Sequence, residues 1–384
     1  MRYKEYPTDL IIGLTNLCTT RCSFCYRRDT RLEPRFFPLE RFELLIDELG
    51  PKLKLLEFSG IGEPLMHPQF KEFVLYARQK YPPSRLSLQL VSNGSLLSAD
   101  LRFFLIEYMF EQVWISFNAA TAKTYSRVMP GLNFEAVTKA ISSLREERDK
   151  DSLAKPSIFL TFVVTKDNYM EAEDFIDLGI AMGADIVAVR NVDRSLNKKI
   201  YDQQCVAREQ FEPILERIEA RAKYDNRIQY SPRWAFWPDD YPQPNRINAK
   251  SIYCPGPKHV FGIYFTDGKV TPCCFLAAHV ENSRNCFGNI YEESALEIWK
   301  RAKYLRKSLS DVKAAPDICK QCANFWGKRW YKQKYKFYFD DMIDSLITVL
   351  STYPRIIHAL SVLKSAIPTR RAKSKSPSIS RSIT

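Results

Sequence analysis

The sequence predicts an α/β protein built on a parallel β-sheet. Short apolar runs of strand length alternate with longer amphipathic segments of helical period. The runs are apolar at nearly every position, as expected for strands that are covered on both faces. Successive βα units with right-handed crossovers give either an open doubly wound sheet or a partial barrel, and the pattern alone leaves both open. The six predicted strands are 9–15, 53–59, 86–92, 112–118, 157–165 and 184–190.

The intervening segments have the end signals of helices. Segment 38–50 begins with a proline and ends with a glycine, which are favoured just inside the start and just past the end of a helix. The chain has 384 residues, of which 45% are apolar. This is enough for one large α/β domain and a smaller second domain.

The net charge of +13 is concentrated near the C-terminus. Two runs without acidic residues, 328–336 and 370–381, contribute +5 each and leave only +3 for the rest of the chain. A near-neutral body argues against a specific nucleic-acid partner, although an anionic substrate or surface stays open.

The first ten residues contain no apolar signal segment, and no stretch has the roughly 18 uncharged residues that a membrane span requires. These observations predict a cytoplasmic protein. In a reducing compartment the ten cysteines are expected to be metal ligands before disulfides.

Three cysteines follow the first predicted strand with C-x3-C-x2-C spacing, at Cys18, Cys22 and Cys25. A disulfide needs two thiols, and structural zinc normally takes four protein ligands. Three thiolates on a four-iron cluster would leave one iron open to an exogenous ligand. The alternative is a group of buried thiols that binds nothing.

This run resembles the cluster loop of the radical S-adenosylmethionine (SAM) superfamily. The resemblance implies a [4Fe-4S] cluster on Cys18, Cys22 and Cys25, with SAM chelated to the open iron. Phe24 occupies the family's aromatic position before the third cysteine, which implies a place near the SAM adenine. The implied fold is a partial (β/α)6 barrel with the cluster loop after its first strand.

The second predicted strand ends in the sequence SGIGEP, at 59–64. Gly60, Gly62 and Glu63 resemble the family's GGEP motif, which implies contact with the SAM ammonium group. The alternative is a tight turn without a ligand.

Polar residues follow the next two predicted strands. Asn93 with Ser92, and Ser116 with Asn118, stand where relatives contact the ribose and carboxylate of SAM. Turn formation and helix capping are the alternatives. The ends of the fifth and sixth strands add less specific candidates, which are Thr165, Asn168 and Arg190.

A second cysteine set lies beyond residue 225. A TDGK turn predicts a small β-hairpin, and a C-x2-C pair follows it at Cys319 and Cys322. This region resembles the SPASM and twitch domains, and no cysteine follows Cys322, which implies one auxiliary [4Fe-4S] cluster. The implied ligands are Cys254, Cys273, Cys319 and Cys322, with Cys274 as the alternative to Cys273. Structural zinc at the same thiols is the competing interpretation.

The remaining cysteines, Cys205 and Cys286, are expected to be buried without a partner, and the four histidines are too scattered to form a metal site. The expected domains are a radical SAM core at 1–225, a SPASM/twitch-like domain at 226–330, an amphipathic helical extension at 331–369 and a basic disordered tail at 370–384. The extension is expected to pack on the body as a helix pair, with the tail as its disordered end. Alternatively, they contact anionic lipid, as a peripheral attachment, or a partner protein.

These features predict an enzyme that cleaves SAM reductively and abstracts hydrogen from a substrate C–H bond. Flavodoxin or ferredoxin would supply the electron. The expected reaction is dehydrogenation or epimerisation of a small molecule such as a sugar or aminocyclitol, because no room for a peptide-recognition domain precedes Cys18. The alternatives are maturation of a ribosomally made peptide and, in another class, a non-catalytic iron-sulfur or zinc-stabilised binding protein.

Overall fold

The structure is a computed structural model. It describes residues 4–27, 33–150, 155–194, 196–231, 233–237, 254, 256–278, 286–309, 319 and 322. All of them belong to one compact unit that ends at Lys328. The predicted extension at 331–369 and tail at 370–384 lie outside the described residues, and the domain boundary near residue 225 stays a prediction.

The main sheet has eight parallel strands in the order β7-β6-β5-β4-β3-β2-β1-β8. This sheet confirms the predicted α/β barrel class, and its first six strands are the six apolar runs. Two further strands, both from beyond residue 225, form its edges. The bounds are β1 Asp9–Ile12, β2 Leu55–Phe58, β3 Ser87–Ser92, β4 Phe110–Ser116, β5 Ser157–Val164, β6 Ile186–Asn191, β7 Ile228–Tyr230 and β8 Val260–Ile263.

Helices connect consecutive strands and cover one face of the sheet. Helix α1 begins after Pro38 and ends before Gly50, as the end signals predicted. The helices are α1 Leu39–Leu49, α2 Phe70–Lys80, α3 Ala99–Glu107, α4 Ala122–Val128, α5 Phe134–Lys150, α6 Ala172–Ala181, α7 Lys198–Gln204, α8 Arg208–Ala222, α9 Arg233–Phe236, α10 Gly256–His259, α11 Cys274–Ala277, α12 Ala295–Arg301 and α13 Lys303–Ser308.

Alternation along each strand separates two faces. Leu56, Phe58, Leu88 and Leu90 are fully buried in the hydrophobic core under the helices. Because successive side chains of a strand point to opposite faces, the residues between them lie on the other face, which we call the inner face. Its members include Glu57, Gln89, Trp114, Ser116, Phe159, Thr161 and Arg190.

The segment around the predicted hairpin joins the main sheet through strand β8. β8 pairs in parallel with β1, and Gly262 also forms an antiparallel bridge with Thr271 across the TDGK turn. Gly268 has a φ of +79° in this turn, a conformation that glycine adopts readily. The returning chain forms β9 at Lys269–Val270, which pairs with β10 at Gly288–Asn289.

A buried tryptophan ties the region after the hairpin to the start of the chain. Trp299 of α12 is fully buried and packs near Phe261 and Phe287. Its indole nitrogen donates to the Lys4 carbonyl at 3.3 Å. Among the helices that the structure describes, none is long and apolar enough to cross a membrane.

Candidate active site

The loop that carries Cys18, Cys22 and Cys25 leaves the carboxyl end of β1 and is fixed at several points. Thr15 Oγ1 donates to the Arg35 carbonyl at 2.9 Å and accepts from the Leu17 amide at 3.1 Å. Thr20 Oγ1 donates to the Pro130 carbonyl at 2.9 Å, and the Ser23 amide donates to the Val128 carbonyl at 3.0 Å. The loop therefore rests on the connection after α4.

Cys18 and Cys22 each have another thiol of this loop among their charged neighbours. All three residues are half-buried, and the Cys25 amide donates to the Cys22 carbonyl at 3.1 Å. Burial, followed by the negative charge of Cys25, raises the pKa of the Cys22 thiol to about 12, and burial also raises the pKa of Cys18. Three thiolates are the donor set that an iron-sulfur cluster with one open iron requires, and the iron ions of such a cluster would offset the negative charge of the thiolates. The residues present therefore fit such a cluster.

Gly60 and Gly62 allow the turn after β2 to lie against this loop. A Cβ at Gly62 would collide with the carbonyl oxygens of Thr15 and Leu17. A Cβ at Gly60 would lie 2.7 Å from the Gly13 Cα and 2.8 Å from the Tyr264 carbonyl oxygen. Both glycines are thus required by close backbone approach.

Glu63 is buried, with 2% of its surface exposed, and both of its carboxylate oxygens accept hydrogen bonds. Oε1 accepts from Ser92 Oγ at 2.8 Å and from the Leu65 amide at 3.2 Å, while Oε2 accepts from the Asn93 amide at 2.7 Å. Burial raises the pKa of Glu63 to about 7, and these three hydrogen bonds act in the opposite direction. The side chain ties the β2 turn to the end of β3.

The other predicted cofactor contacts occupy different surroundings. Asn93 lies beside the cysteine loop, with Nδ2 3.6 Å from Cys18 Sγ. Ser116 is on the inner face next to Thr161. Asn118 is fully buried with a φ of +51°, and its Oδ1 accepts from the Val163 amide at 2.7 Å. Phe24 is half-buried against Val192, Ile200 and Tyr201.

Two of the less specific candidates are engaged in local structure. Asn168 Oδ1 accepts from both the amide and the hydroxyl of Thr165, at 2.7 and 2.9 Å. Asn168 Nδ2 donates to the carbonyls of Asn118 and Val163 at 2.9 Å. This network closes the turn after β5. Arg190 instead lies on the inner face, where burial lowers the pKa of its guanidinium to about 9.

The second cysteine set gathers around Cys273. Burial raises the pKa of Cys273 well above its usual value, and the neighbouring thiols Cys274, Cys254 and Cys322 raise it further. The Cys322 amide donates to the Cys319 carbonyl at 3.1 Å, so the C-x2-C pair forms a tight hook. The charged neighbours of Cys274 are different. Burial raises its pKa to about 12, and Asp193 and Glu57 add to this effect.

The pKa of the Tyr26 phenol is affected by thiols of both cysteine-bearing segments. Burial raises the pKa of its phenol well above the usual value, and the next largest contributions come from Cys274 and Cys25. Tyr26 therefore has a thiol of each cysteine-bearing segment in its surroundings.

No three His, Cys, Asp or Glu side chains in the part of the chain that the structure describes are close enough to share a single metal ion. The thiols of Cys205 and Cys286 point to backbone carbonyls, those of Phe236 at 3.7 Å and Gly288 at 3.1 Å.

Comparison with known proteins agrees with this arrangement. The family model described as the radical SAM superfamily matches residues 12–179, and the SPASM iron-sulfur cluster-binding domain matches residues 254–323. The chain belongs to the radical SAM superfamily. As a radical SAM enzyme with a SPASM domain, it takes SAM and iron-sulfur clusters as cofactors, and the interpretation as a non-catalytic binding protein is wrong.

Curated relatives of this radical SAM enzyme differ in how much of it they match. The tungsten-containing aldehyde ferredoxin oxidoreductase cofactor-modifying protein of Pyrococcus furiosus is 24% identical, over 77% of this chain and 81% of its own. The GTP 3′,8-cyclase of Chlorobaculum tepidum is 28% identical, over 44% of this chain and 48% of its own. The mycofactocin maturase MftC of Mycolicibacterium smegmatis is 26% identical, over 48% and 45%.

Solved structures share the fold at low identity. Streptococcus suis SuiB bound to the precursor peptide SuiA has a TM-score of 0.62 and 15% identity, covering 82% of this chain and 71% of SuiB. The structure of anSMEcpe with bound AdoMet has a TM-score of 0.57 and 17% identity, covering 92% and 98%.

The sequence alone did not point to Glu57, Trp114 and Phe159 of the inner face as candidate functional residues. Trp114 and Phe159 stack there with ring centroids 4.2 Å apart and planes 22° apart, and Glu57 Oε1 accepts from Ser59 Oγ at 2.7 Å. A carboxylate in the middle of the apolar run 53–59 was the available signal, because a charge inside a strand with both faces covered is unusual.

Proposed function

We propose that this radical SAM enzyme oxidises a small polar molecule, by removing hydrogen from a C–H bond held against the inner face of the sheet. The observation that carries the proposal is that Glu57, Thr161 and Arg190 lie together on this face. A thiol of each cysteine-bearing segment, Cys25 and Cys274, is also among the charged neighbours of Tyr26. Epimerisation, the other predicted outcome, would not need a second electron acceptor.

Each cofactor has a matching set of ligands. Cys18, Cys22 and Cys25 would hold the cluster that binds SAM. Cys254, Cys273, Cys319 and Cys322 would hold one auxiliary cluster. Cys254 and Cys322 are among the charged neighbours of Cys273, whereas those of Cys274 are Asp193 and Glu57, which supports Cys273 over Cys274. When bound, these groups and SAM supply a 5′-deoxyadenosyl radical for hydrogen abstraction and an acceptor for the second electron. A reductant such as flavodoxin or ferredoxin would deliver the first electron.

The chain's own residues position the substrate and exclude water. Trp114 and Phe159 form an apolar wall, and Arg190 lies on the neighbouring strand β6. Oxidation of an alcohol carbon to a carbonyl removes a hydrogen atom, a proton and an electron in total. We assign the proton to Glu57, whose carboxylate lies on the inner face and is also among the charged neighbours of Cys274.

The inner face supports a hydroxylated or charged small molecule. Carboxylate, hydroxyl and guanidinium groups from β2, β5 and β6, respectively Glu57, Thr161 and Arg190, lie on one surface. A few polar groups on an otherwise apolar wall are typical of small-molecule sites. One relative, which matches 77% of this chain, is named as a cofactor-modifying protein, and this name also favours a non-peptide substrate.

Maturation of a ribosomally made peptide is the second candidate. The mycofactocin maturases favour it, with 23% to 27% identity over 186 residues, although they match only about half of this chain.

Deuterium transfer distinguishes the two candidates. The reduced enzyme and SAM are incubated with a uniformly deuterated cell extract that has been separated into small-molecule and peptide fractions. We expect deuterium in 5′-deoxyadenosine from the small-molecule fraction only. Glu57→Gln should retain this label but lose most of the oxidised product, because hydrogen abstraction precedes proton loss. Deuterium transferred from the peptide fraction alone would refute small-molecule oxidation and support peptide maturation.

A further inference from the structure

The side chain of Asn93 reaches the cysteine loop from the end of β3. Its amide nitrogen Nδ2 lies 3.6 Å from Cys18 Sγ and 2.9 Å from Thr19 Oγ1. An asparagine amide carries two N–H groups, so one nitrogen can donate to both acceptors. Asn93 is therefore a hydrogen-bond donor to a thiol that we assign to the first cluster.

The orientation of this amide is fixed by its other contacts. Asn93 Oδ1 accepts from the Ser95 amide at 3.0 Å, which directs Nδ2 toward Cys18. The Asn93 backbone amide donates to Glu63 Oε2 at 2.7 Å. Asn93 is 6% exposed and Glu63 is 2% exposed, so water has little access to compete with these bonds. Glu63 and Ser95 hold the donor in place.

Hydrogen bonds to cluster sulfurs stabilise the more negative, reduced state and so raise the reduction potential. We propose that Asn93 is a positioning residue that raises the reduction potential of the SAM-binding cluster through Cys18, and that Glu63 fixes it for this role. The proposal rests on the assignment of Cys18 as a cluster ligand under the proposed function. Glu63 would then have two roles. It ties the turn after β2 to the end of β3, and it acts on the cluster through Asn93.

Electrostatics support the need for a donor at this point. The Glu63 carboxylate accepts from the Asn93 backbone amide at 2.7 Å, so a negative charge lies beside the residue that contacts Cys18. This charge would disfavour an electron added to the cluster. The Asn93 amide presents a positive dipole to Cys18 Sγ and opposes this effect.

The test is a redox titration of the fully loaded enzyme, followed by electron paramagnetic resonance. Addition of SAM identifies the signal of the cluster with the open iron. In Asn93→Ala, and more strongly in the isosteric Asn93→Asp, we expect a more negative midpoint potential. A tenfold smaller ratio of reduced to oxidised cluster at fixed potential corresponds to about 59 mV for one electron.

Ser95→Ala is the matched control. Ser95 Oγ lies 2.9 Å from Thr19 Oγ1, but its backbone amide holds Asn93 and survives this substitution. We expect the wild-type potential in Ser95→Ala. An unchanged potential in both Asn93 variants with full iron content would overturn the proposal, and so would an equal shift in Ser95→Ala. Failure of the cluster assignment is recognised separately, because the wild-type enzyme would then lack the SAM-sensitive signal. Failure of small-molecule oxidation would show in the deuterium-transfer experiment and leave the potential of this cluster unaffected.

Discussion

Gly62 lies directly against the carbonyl groups of Thr15 and Leu17, so the turn after β2 closes on the loop that carries Cys18. The Glu63 amide donates to the same Leu17 carbonyl at 2.7 Å. Together these contacts set the distance between the glycine-rich turn and the three thiols.

Gly62→Ala should therefore disable the first cluster site. The added Cβ displaces the loop, and a shift of about 1 Å at a reacting centre can lower a rate about a hundredfold. We expect 5′-deoxyadenosine formation to fall by about that factor, measured anaerobically with dithionite and SAM.

Gly179→Ala is the control, because its added Cβ would collide with Val187 and Leu160 in the core under α6 and not with the cysteine loop. It should lower stability by about 1 to 3 kcal/mol while leaving SAM cleavage intact. Unchanged SAM cleavage in Gly62→Ala would contradict the close packing of turn and loop.

The two cysteine sets should have separable functions. Cys22→Ala should abolish reductive SAM cleavage, because the SAM-binding cluster is lost. Cys319→Ala should stop formation of the oxidised product while some uncoupled SAM cleavage survives. Iron content and 5′-deoxyadenosine are measured for both, with Cys286→Ala as a control whose thiol points to backbone carbonyls. The same cleavage defect in folded Cys22→Ala and Cys319→Ala would refute this division.

Cys273 and Cys274 should differ in iron binding. Cys273 has Cys254 and Cys322 in its surroundings, whereas Cys274 has Asp193 and Glu57. We expect Cys273→Ala to lose about four irons per chain from a total of about eight, and Cys274→Ala to retain them. Iron loss from Cys274→Ala alone would reverse the assignment.

His259 should make the fold sensitive to mild acid. Burial, followed by the positive charges of Lys4 and Lys258, lowers its pKa to about 4, and Nδ1 lies 3.3 Å from Thr8 Oγ1. The unfolded chain takes up this proton near pH 6.5, so the stabilisation is complete above that pH and is lost as the pH falls toward 4. Because the ring is only partly buried, we expect a loss on the order of 1 kcal/mol between pH 7 and pH 5.

The measurement is the free energy of unfolding against pH, and His259→Gln should flatten the curve over this range. A wild-type slope in that variant would assign the acid sensitivity to other groups.

The sequence predicted the sheet and the residue types of the site more completely than the contacts within the site. Apolar runs identified β1 to β6 because the residues of these strands that face the helices are buried in the core. β7 and β8 were missed as members of the main sheet, because they are short and their pairing with β6 and β1 is long-range. Cysteine spacing is local and could be recognised directly.

The roles of single side chains depend on neighbours that are distant in sequence. Glu63 reaches Ser92 and Asn93, and Asn93 reaches Cys18, across 29, 30 and 75 positions of the chain. Asn118 looked like a ligand contact at a strand end, yet its amide is engaged with the Val163 amide and Met129 Sδ. Its contact with SAM stays a prediction, as do the other assigned ligand contacts.

The central claim is that this chain cleaves SAM reductively at the Cys18, Cys22 and Cys25 loop. The most direct measurement is 5′-deoxyadenosine released from SAM by the anaerobic, iron-loaded wild-type protein after reduction with dithionite. We expect 5′-deoxyadenosine and methionine in equal amounts, and no 5′-deoxyadenosine when the reductant is omitted. A protein that carries its full complement of about eight irons and yet forms no 5′-deoxyadenosine after reduction would contradict it.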